Sequence, residues 1–158
     1  MKRLTVSAGL LMFRKRGKDL EVLLVHPGGP FFRNKDDGVW TIPKGEVGDN
    51  EDLVSRARIE FEEELGVVPP TDKLIELGWV KQKGGKTVHA WALEGDLKND
   101  FILKSNTFEM EWPPHSGKLG RFPEVDRVAF FPIDSARTKI NPAQIVFLDR
   151  LIALRAVR

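Results

Sequence analysis

Near the start of the chain, apolar residues gather in two dense runs, SAGLLMF and EVLLV, separated by charged residues and Gly17. Short runs of this kind bounded by turn residues predict strands. The strands are placed at roughly Val6 to Phe13 and Glu21 to His26, around hairpin-turn chemistry at Arg16-Gly17-Lys18-Asp19. A loop rich in Gly, Pro and Asp follows, PGGPFFRNKDDG, then a short strand VWTIP leading into Lys44-Gly45. From about Glu51 to Leu65 the apolar spacing turns helical, with Asp49 or Asn50 as the expected N-cap, acidic residues in the first turn and Gly66 at the stop.

Beyond that helix, ELGWVKQ and KTVHAWALEG alternate as two strands around Lys83-Gly84-Gly85-Lys86. Residues 97 to 126 read as a long, irregular excursion of the kind that is usually functional or mobile. RVAFFPI is the last strand, and Asn141-Pro142 opens a helix carrying Ile145, Leu148, Leu151, Ile152 and Leu154. The sequence holds no internal repeat or linker, so the expectation is one domain over residues 1–158, a mixed sheet with helices packed on it.

Composition narrows the chemistry. The chain has 158 residues, 41% hydrophobic and 30% charged, as in an ordinary globular protein with a real core. A formal charge of +2, with Lys and Arg dispersed, gives no basic stripe, and nucleic acid is not an expected partner. With no cysteine, disulfides, thiolate metal sites and cysteine nucleophiles are excluded, which is compatible with a cytoplasmic location. The opening MKRLTVSAGLLMFRKR is read as a first strand, because its apolar run is short and closed by Arg14, Lys15 and Arg16. No apolar segment is long enough to span a membrane.

The candidate site lies on the first helix. At about 100° per residue, Leu53, Val54, Ala57, Phe61 and Leu65 fall within one arc of roughly 120°, the buried face. Glu60, Glu63 and Glu64 crowd an adjoining strip, while Glu62 points to water. Like charges beside a packed surface repel and resist desolvation. A cation would relieve them, and oxygen-preferring Mg²⁺ or Mn²⁺ suits the donor set. The competing reading of the spacing alone is a solvated acidic helix face.

The flanks carry more. Gly45 stands where a glycine lets backbone approach a ligand closely, and the stretch Gly45 to Val67 resembles the Nudix box of the Nudix hydrolases. Gly45, Glu51, Glu60, Glu63, Glu64, Gly66 and Val67 occupy the pattern's places without insertion, with Phe61 where an aliphatic residue is usual. The resemblance implies a Nudix-type α/β/α sandwich, an α/β fold with a mixed sheet between helices, and covers most of the chain. One position departs: Ile59 stands where the pattern has Arg. The family's Arg orients the carboxylates by ion pairing, and Arg58 lies about 100° round from that direction.

The resemblance further implies hydrolysis of a pyrophosphate bond in a nucleoside diphosphate linked to another group. Glu60, Glu63, Glu64 and the Gly45 carbonyl would hold Mg²⁺ or Mn²⁺, Glu51 would support the helix, and Lys44 would pair with a phosphate. The general base would be Glu63 or Glu64, or a loop carboxylate, for which Glu124 in FPEVDRVAFF is the candidate and Glu109 and Glu111 weaker ones. Glu124 and WTIPKGE are similar to features of diadenosine polyphosphate hydrolases. Against this, the chain has no tyrosine, which those enzymes usually carry after the box. It also has Lys81 or Gln82 where ADP-ribose pyrophosphatases typically have proline.

Trp112 and His115, in the excursion, are candidates to meet substrate, and Phe31, Phe32 or Arg33 would line the pocket. Trp40, Trp79 and Trp91 read as core, and His26 and His89 as structural. A homodimer is compatible with the family, with no residue pattern arguing for it. The rival to a hydrolase is a non-catalytic Nudix-fold module that binds a nucleotide or protein, with Ile59 as its mark.

Overall fold

In the computed structural model, residues 5–156 are described. Of the opening stretch read as strand, residues 1–4 lie outside them. The element order is β1 (Val6–Arg16), β2 (Asp19–Pro27), β3 (Lys44–Glu46), α1 (Leu53–Leu65), β4 (Ile75–Lys81), β5 (Thr87–Glu94), β6 (Thr107–Glu111), β7 (Leu119–Pro123), β8 (Val125–Pro132), α2 (Ile133–Lys139) and α3 (Ile145–Ala156). The main sheet runs β4-β5-β1-β2-β8, with β3 also pairing with β1, while β6 and β7 form a separate hairpin. β1 and β5 are parallel and the other pairings antiparallel, so the sheet is mixed as expected.

Strand alternation divides the core into two layers. Leu11, Phe13, Val22 and Leu24 face one way, into a cluster closed by Phe147, Leu148 and Leu151 of α3 and Ala136 of α2. Leu10, Met12, Leu23 and Val25 face the other way, against Ala57, Phe61 and Leu65 of α1. The dense apolar runs of β1 and β2 therefore reflect burial on both faces of a central sheet.

β1 and β2 pair only near their turn, from Phe13↔Val22 to Arg16↔Asp19. Beyond that they diverge, and the segment from Trp40 to Glu46 enters the gap. Thr41 exchanges two backbone hydrogen bonds with Val25 of β2, Pro43 accepts from Leu10 of β1, and β3 pairs with Ser7–Gly9. VWTIP is thus not a strand of the sheet but a wedge whose bonds are shared between two strands. Gly9 makes room for it: a Cβ there would lie 2.4 Å from the Pro43 carbonyl oxygen and 2.7 Å from Lys44 Cβ.

Other expectations shift. The N-cap of α1 is Asp52, whose carboxylate accepts from Ser55 N, rather than Asp49 or Asn50, and no acidic residue lies in the first turn. Gly66 does end the helix, at φ +86°. The excursion contains the β6–β7 hairpin, in register from Thr107↔Pro123 to Glu111↔Leu119. Asn141 caps a short 3₁₀ turn, Pro142–Gln144, before α3 begins. On α3, Leu148 and Leu151 are buried, whereas Ile152 and Leu154 are exposed and Phe147 takes the third inner place. Of the tryptophans, Trp40 is buried but Trp79 is 55% exposed on the edge strand β4.

Gly9→Ala drives a methyl group into the wedge and is expected to destabilise the protein by about 1–3 kcal/mol. Denaturant unfolding reads this directly, and a midpoint equal to wild type would show that the wedge is not tightly held.

Candidate active site

The wedge delivers Gly45 to the outer face of α1. A Cβ on Gly45 would fall 2.0 Å from the Glu60 carboxyl carbon and 2.2–2.3 Å from its oxygens, so only glycine lets strand and carboxylate meet. Glu60 points there because Ala57, Phe61 and Leu65 of the same helix are buried against the sheet. Glu64, one turn on, is itself buried, 8% exposed, with the Lys44 backbone beside its carboxyl.

Glu124 arrives from the opposite side through main-chain bonds. Asn106 N donates to Glu63 O at 2.8 Å, Glu124 N to Asn106 O at 2.9 Å, and Gly28 N to Glu124 O at 2.9 Å. The Asn106 side-chain amide also reaches Glu63 Oε2, at 3.5 Å. Thus Lys44, Gly45, Glu60, Glu63, Glu64 and Glu124 share one region of the surface.

The electrostatics of this region resist ionised carboxylates. Burial pushes the Glu64 carboxyl up to about 9, with the Glu60 charge adding and Lys44 opposing. Glu60 is raised by burial, with Glu63 and Glu124 adding and Arg56 pulling back. Glu124, exposed as a residue, is also raised, first by desolvation and then by Glu63. Burial lowers the Lys44 ammonium despite Glu64 and Glu60 beside it. Among the described residues no three His, Cys, Asp or Glu side chains form a ready-made metal cage. The donor set is nonetheless all carboxylate and carbonyl oxygen, crowded and short of positive charge, which is the chemistry a hard divalent cation requires. Glu60, Glu63, Glu64 and the Gly45 carbonyl are the residues that fit one.

The remaining candidates lie along a flank. The loop between β2 and β3 packs on the hairpin, Gly29 against Phe108, and Phe31 meets Trp112 edge to face at 5.6 Å. Trp112 stands roughly 15 Å along the hairpin from its Glu124 end, at the strand rise. His115 sits exposed at the tip, where the Glu111 carboxylate accepts from the backbone N–H of His115 and Gly117. Arg33 is exposed in the loop. His26 is structural: it is fully buried, with Nδ1 2.7 Å from Asp126 and Nε2 2.7 Å from the Lys35 carbonyl, pinning that loop.

Sequence reasoning missed Arg56. Its guanidinium donates to both Glu51 oxygens and to Glu60 Oε1. The signal was present in the i,i+4 spacing of Arg56 and Glu60.

Glu64 carries a pH signature in the metal-free protein. Its ordinary value is 4.5, and in the fold it titrates near 9. Between those values the folded state keeps a proton that the unfolded state has released, so stability falls as pH rises and the loss is complete above the folded value. Glu64→Gln removes that slope. Relative to wild type, the variant is expected to gain stability steadily from about pH 5 to pH 9 and to match it near pH 4. Denaturant melts across this range test the point, and parallel profiles would refute it.

Comparison with known proteins bears on the fold and the family. The chain is 40% identical over 63 residues to Nudix hydrolase 7 of Arabidopsis thaliana, a stretch covering 40% of this chain and 21% of that protein. The chain therefore matches only about a fifth of that relative's length. Its fold is similar to an Ap4A hydrolase from C. elegans solved as a binary complex, with TM-score 0.69, 21% identity, and 96% and 99% of the two chains covered. It is similar as well to the NUDIX domain of Shewanella oneidensis NrtR complexed with ADP ribose, with TM-score 0.64, 16% identity, and 100% and 91% covered. The family model of the NUDIX domain matches residues 3–151, nearly the whole chain, and with the mixed sheet between helices it establishes that this protein belongs to the Nudix family.

Proposed function

We propose that the chain is a single-domain, metal-dependent hydrolase. Its reaction is cleavage of a pyrophosphate bond in a nucleoside diphosphate linked to another group. The observation that carries this reading is the approach of Gly45 to Glu60 beside Glu64 and Glu124, an acidic site built by close backbone packing. Mg²⁺ or Mn²⁺ held by Glu60, Glu63, Glu64 and the Gly45 carbonyl would supply Lewis acidity and neutralise charge on the phosphate oxygens.

The chain's own groups do the rest. Desolvation, with the Glu63 charge adding, raises the Glu124 carboxyl, which suits a group that takes a proton from the attacking water. Glu63 or Glu64 is the other choice of base. Lys44 lies among the carboxylates, where burial lowers its ammonium and a phosphate would serve as its partner. Trp112 with Phe31, and Arg33 and His115 beyond, form the flank on which a nucleobase would lie.

A dinucleoside polyphosphate is the first substrate class to test. Glu124 in its loop supports that choice, as does the fold shared with an Ap4A hydrolase, and the absence of tyrosine weighs against it. Nucleoside triphosphates and ADP-ribose or nucleotide-sugars follow. The cysteine-free composition supports a cytoplasmic setting, and no helix among the described residues is long and apolar enough to cross a membrane.

Phosphate release from a panel of these nucleotides, with Mg²⁺ or Mn²⁺ and suitable phosphatase coupling, is expected to show metal-dependent turnover of one class. Glu63→Gln should lower that turnover at least about a hundredfold while leaving the circular dichroism spectrum unchanged. Turnover near wild type in the variant would remove Glu63 from the site. Silence of the wild type across the panel would shift the reading to a non-catalytic nucleotide- or protein-binding module.

A further inference from the structure

One guanidinium links the loop before α1 to the carboxylate that faces Gly45. Arg56 Nε donates to Glu51 Oε1 at 2.9 Å and to Oε2 at 3.0 Å, and Nη2 also reaches Oε2. Nη1 donates to Glu60 Oε1 at 3.2 Å. Glu51 Oε1 accepts the Gly48 backbone N–H at 2.8 Å, so the chain of contacts runs from Gly48 through Glu51 and Arg56 to Glu60. The three side chains keep only 23%, 24% and 14% of their surface. This is no freely solvated i,i+4 pair, which would hold neither partner firmly. A planar fork that grips two carboxylates sets their orientation as well as their charge.

Ile59, by contrast, is 39% exposed and supplies no charge. Residues 56 and 59 are neighbours on one helical surface, with about 5–6 Å between Cβ atoms. A guanidinium at position 59 would start from the same helical surface as Arg56.

We propose that Arg56 is a positioning residue of this site: it fixes Glu51 and aims Glu60 at Gly45, the ion-pairing task that the Nudix pattern assigns to an Arg at position 59. The chain has moved the guanidinium back by one turn and left Ile59 as a surface residue. The inference rests on the hydrolase reading for its kinetic arm only; the cation-binding arm stands apart from it.

The experiment compares wild type with Arg56→Gln, Arg56→Lys, Ile59→Arg and the double variant Arg56→Gln/Ile59→Arg, each verified as folded by circular dichroism. Mn²⁺ binding to the metal-free full-length chain is measured by electron paramagnetic resonance. The kinetic constants are measured on whichever nucleotide wild type hydrolyses. Arg56→Gln is expected to weaken Mn²⁺ binding and lower kcat about tenfold to a hundredfold, with KM for the nucleotide changed less than about threefold. Arg56→Lys should recover little of this, since an ammonium cannot grip both carboxylates. Adding Ile59→Arg to Arg56→Gln should bring Mn²⁺ affinity back to within about threefold of wild type, as expected for coupled groups sharing one role. Ile59→Arg alone should leave both constants near wild type.

Unchanged Mn²⁺ affinity in Arg56→Gln would overturn the proposal, and so would a double variant that stays as weak as Arg56→Gln. Should wild type bind Mn²⁺ yet hydrolyse nothing on the panel, the hydrolase reading falls, while the affinities of the variants still decide the role of Arg56.

Discussion

Contact between Gly45 and the Glu60 carboxylate is the constraint on which the rest of the site depends. It is made by two elements held independently, the wedge between β1 and β2 and the helix packed on the sheet by Ala57, Phe61 and Leu65. Neither element can retreat, because the wedge is bonded to strands on both sides and the helix stripe is buried. Glycine at 45 converts that closeness from a clash into a place where the backbone of β3 and the Glu60 carboxylate stand side by side. Glycine at 9 does the same one layer beneath, so the approach is built from the sheet upward.

Packing this firm imposes an electrostatic cost that the protein alone does not offset. Glu64 is buried next to Glu60, and the Lys44 ammonium beside them is itself lowered by burial. Hydrophobic contacts of Phe61 and Leu65 hold the helix in place against this repulsion. Arg56 offsets part of the charge at Glu60 from the flank, leaving the face towards Gly45 open.

The parts legible in the sequence are those set by local periodicity. The carboxylate strip, the buried stripe of α1 and the Gly66 stop follow from 3.6-residue spacing, and all of them lie where expected apart from a half-buried Leu53 and Val54. What escaped depends on partners distant in the chain. Within Asp49-Asn50-Glu51-Asp52, each residue but Glu51 has N-cap chemistry, and the choice falls to Asp52 once Glu51 is occupied by Gly48 and Arg56. VWTIP has strand composition, yet its bonds are divided between Val25 and Leu10, which no local pattern encodes. The hairpin β6–β7 was hidden because its strands, TFEME and LGRFP, are only half-buried on alternate residues and read as loop. Ile59 departs from the family pattern at its own position, whereas the guanidinium bonded to Glu51 and Glu60 starts one turn away at Arg56.

Glu124 shows how a residue distant in the chain can be brought to a site mainly by backbone bonds. They run from Asn106 to Glu63, from Glu124 to Asn106 and from Gly28 to Glu124. The Asn106 amide, reaching Glu63, and the Ser105 hydroxyl, accepting from Val125 N, add side-chain bonds to the same path. The path also ties α1, the hairpin and the loop after β2 into a single unit, since Gly28 opens the loop that His26 pins through Lys35 and that Phe31 joins to Trp112. In this way the Trp112–Phe31 pair and the acidic region, roughly 15 Å apart along the hairpin, are joined by main-chain hydrogen bonds from Gly28 to Glu63 together with the side chains of His26, Phe31 and Trp112.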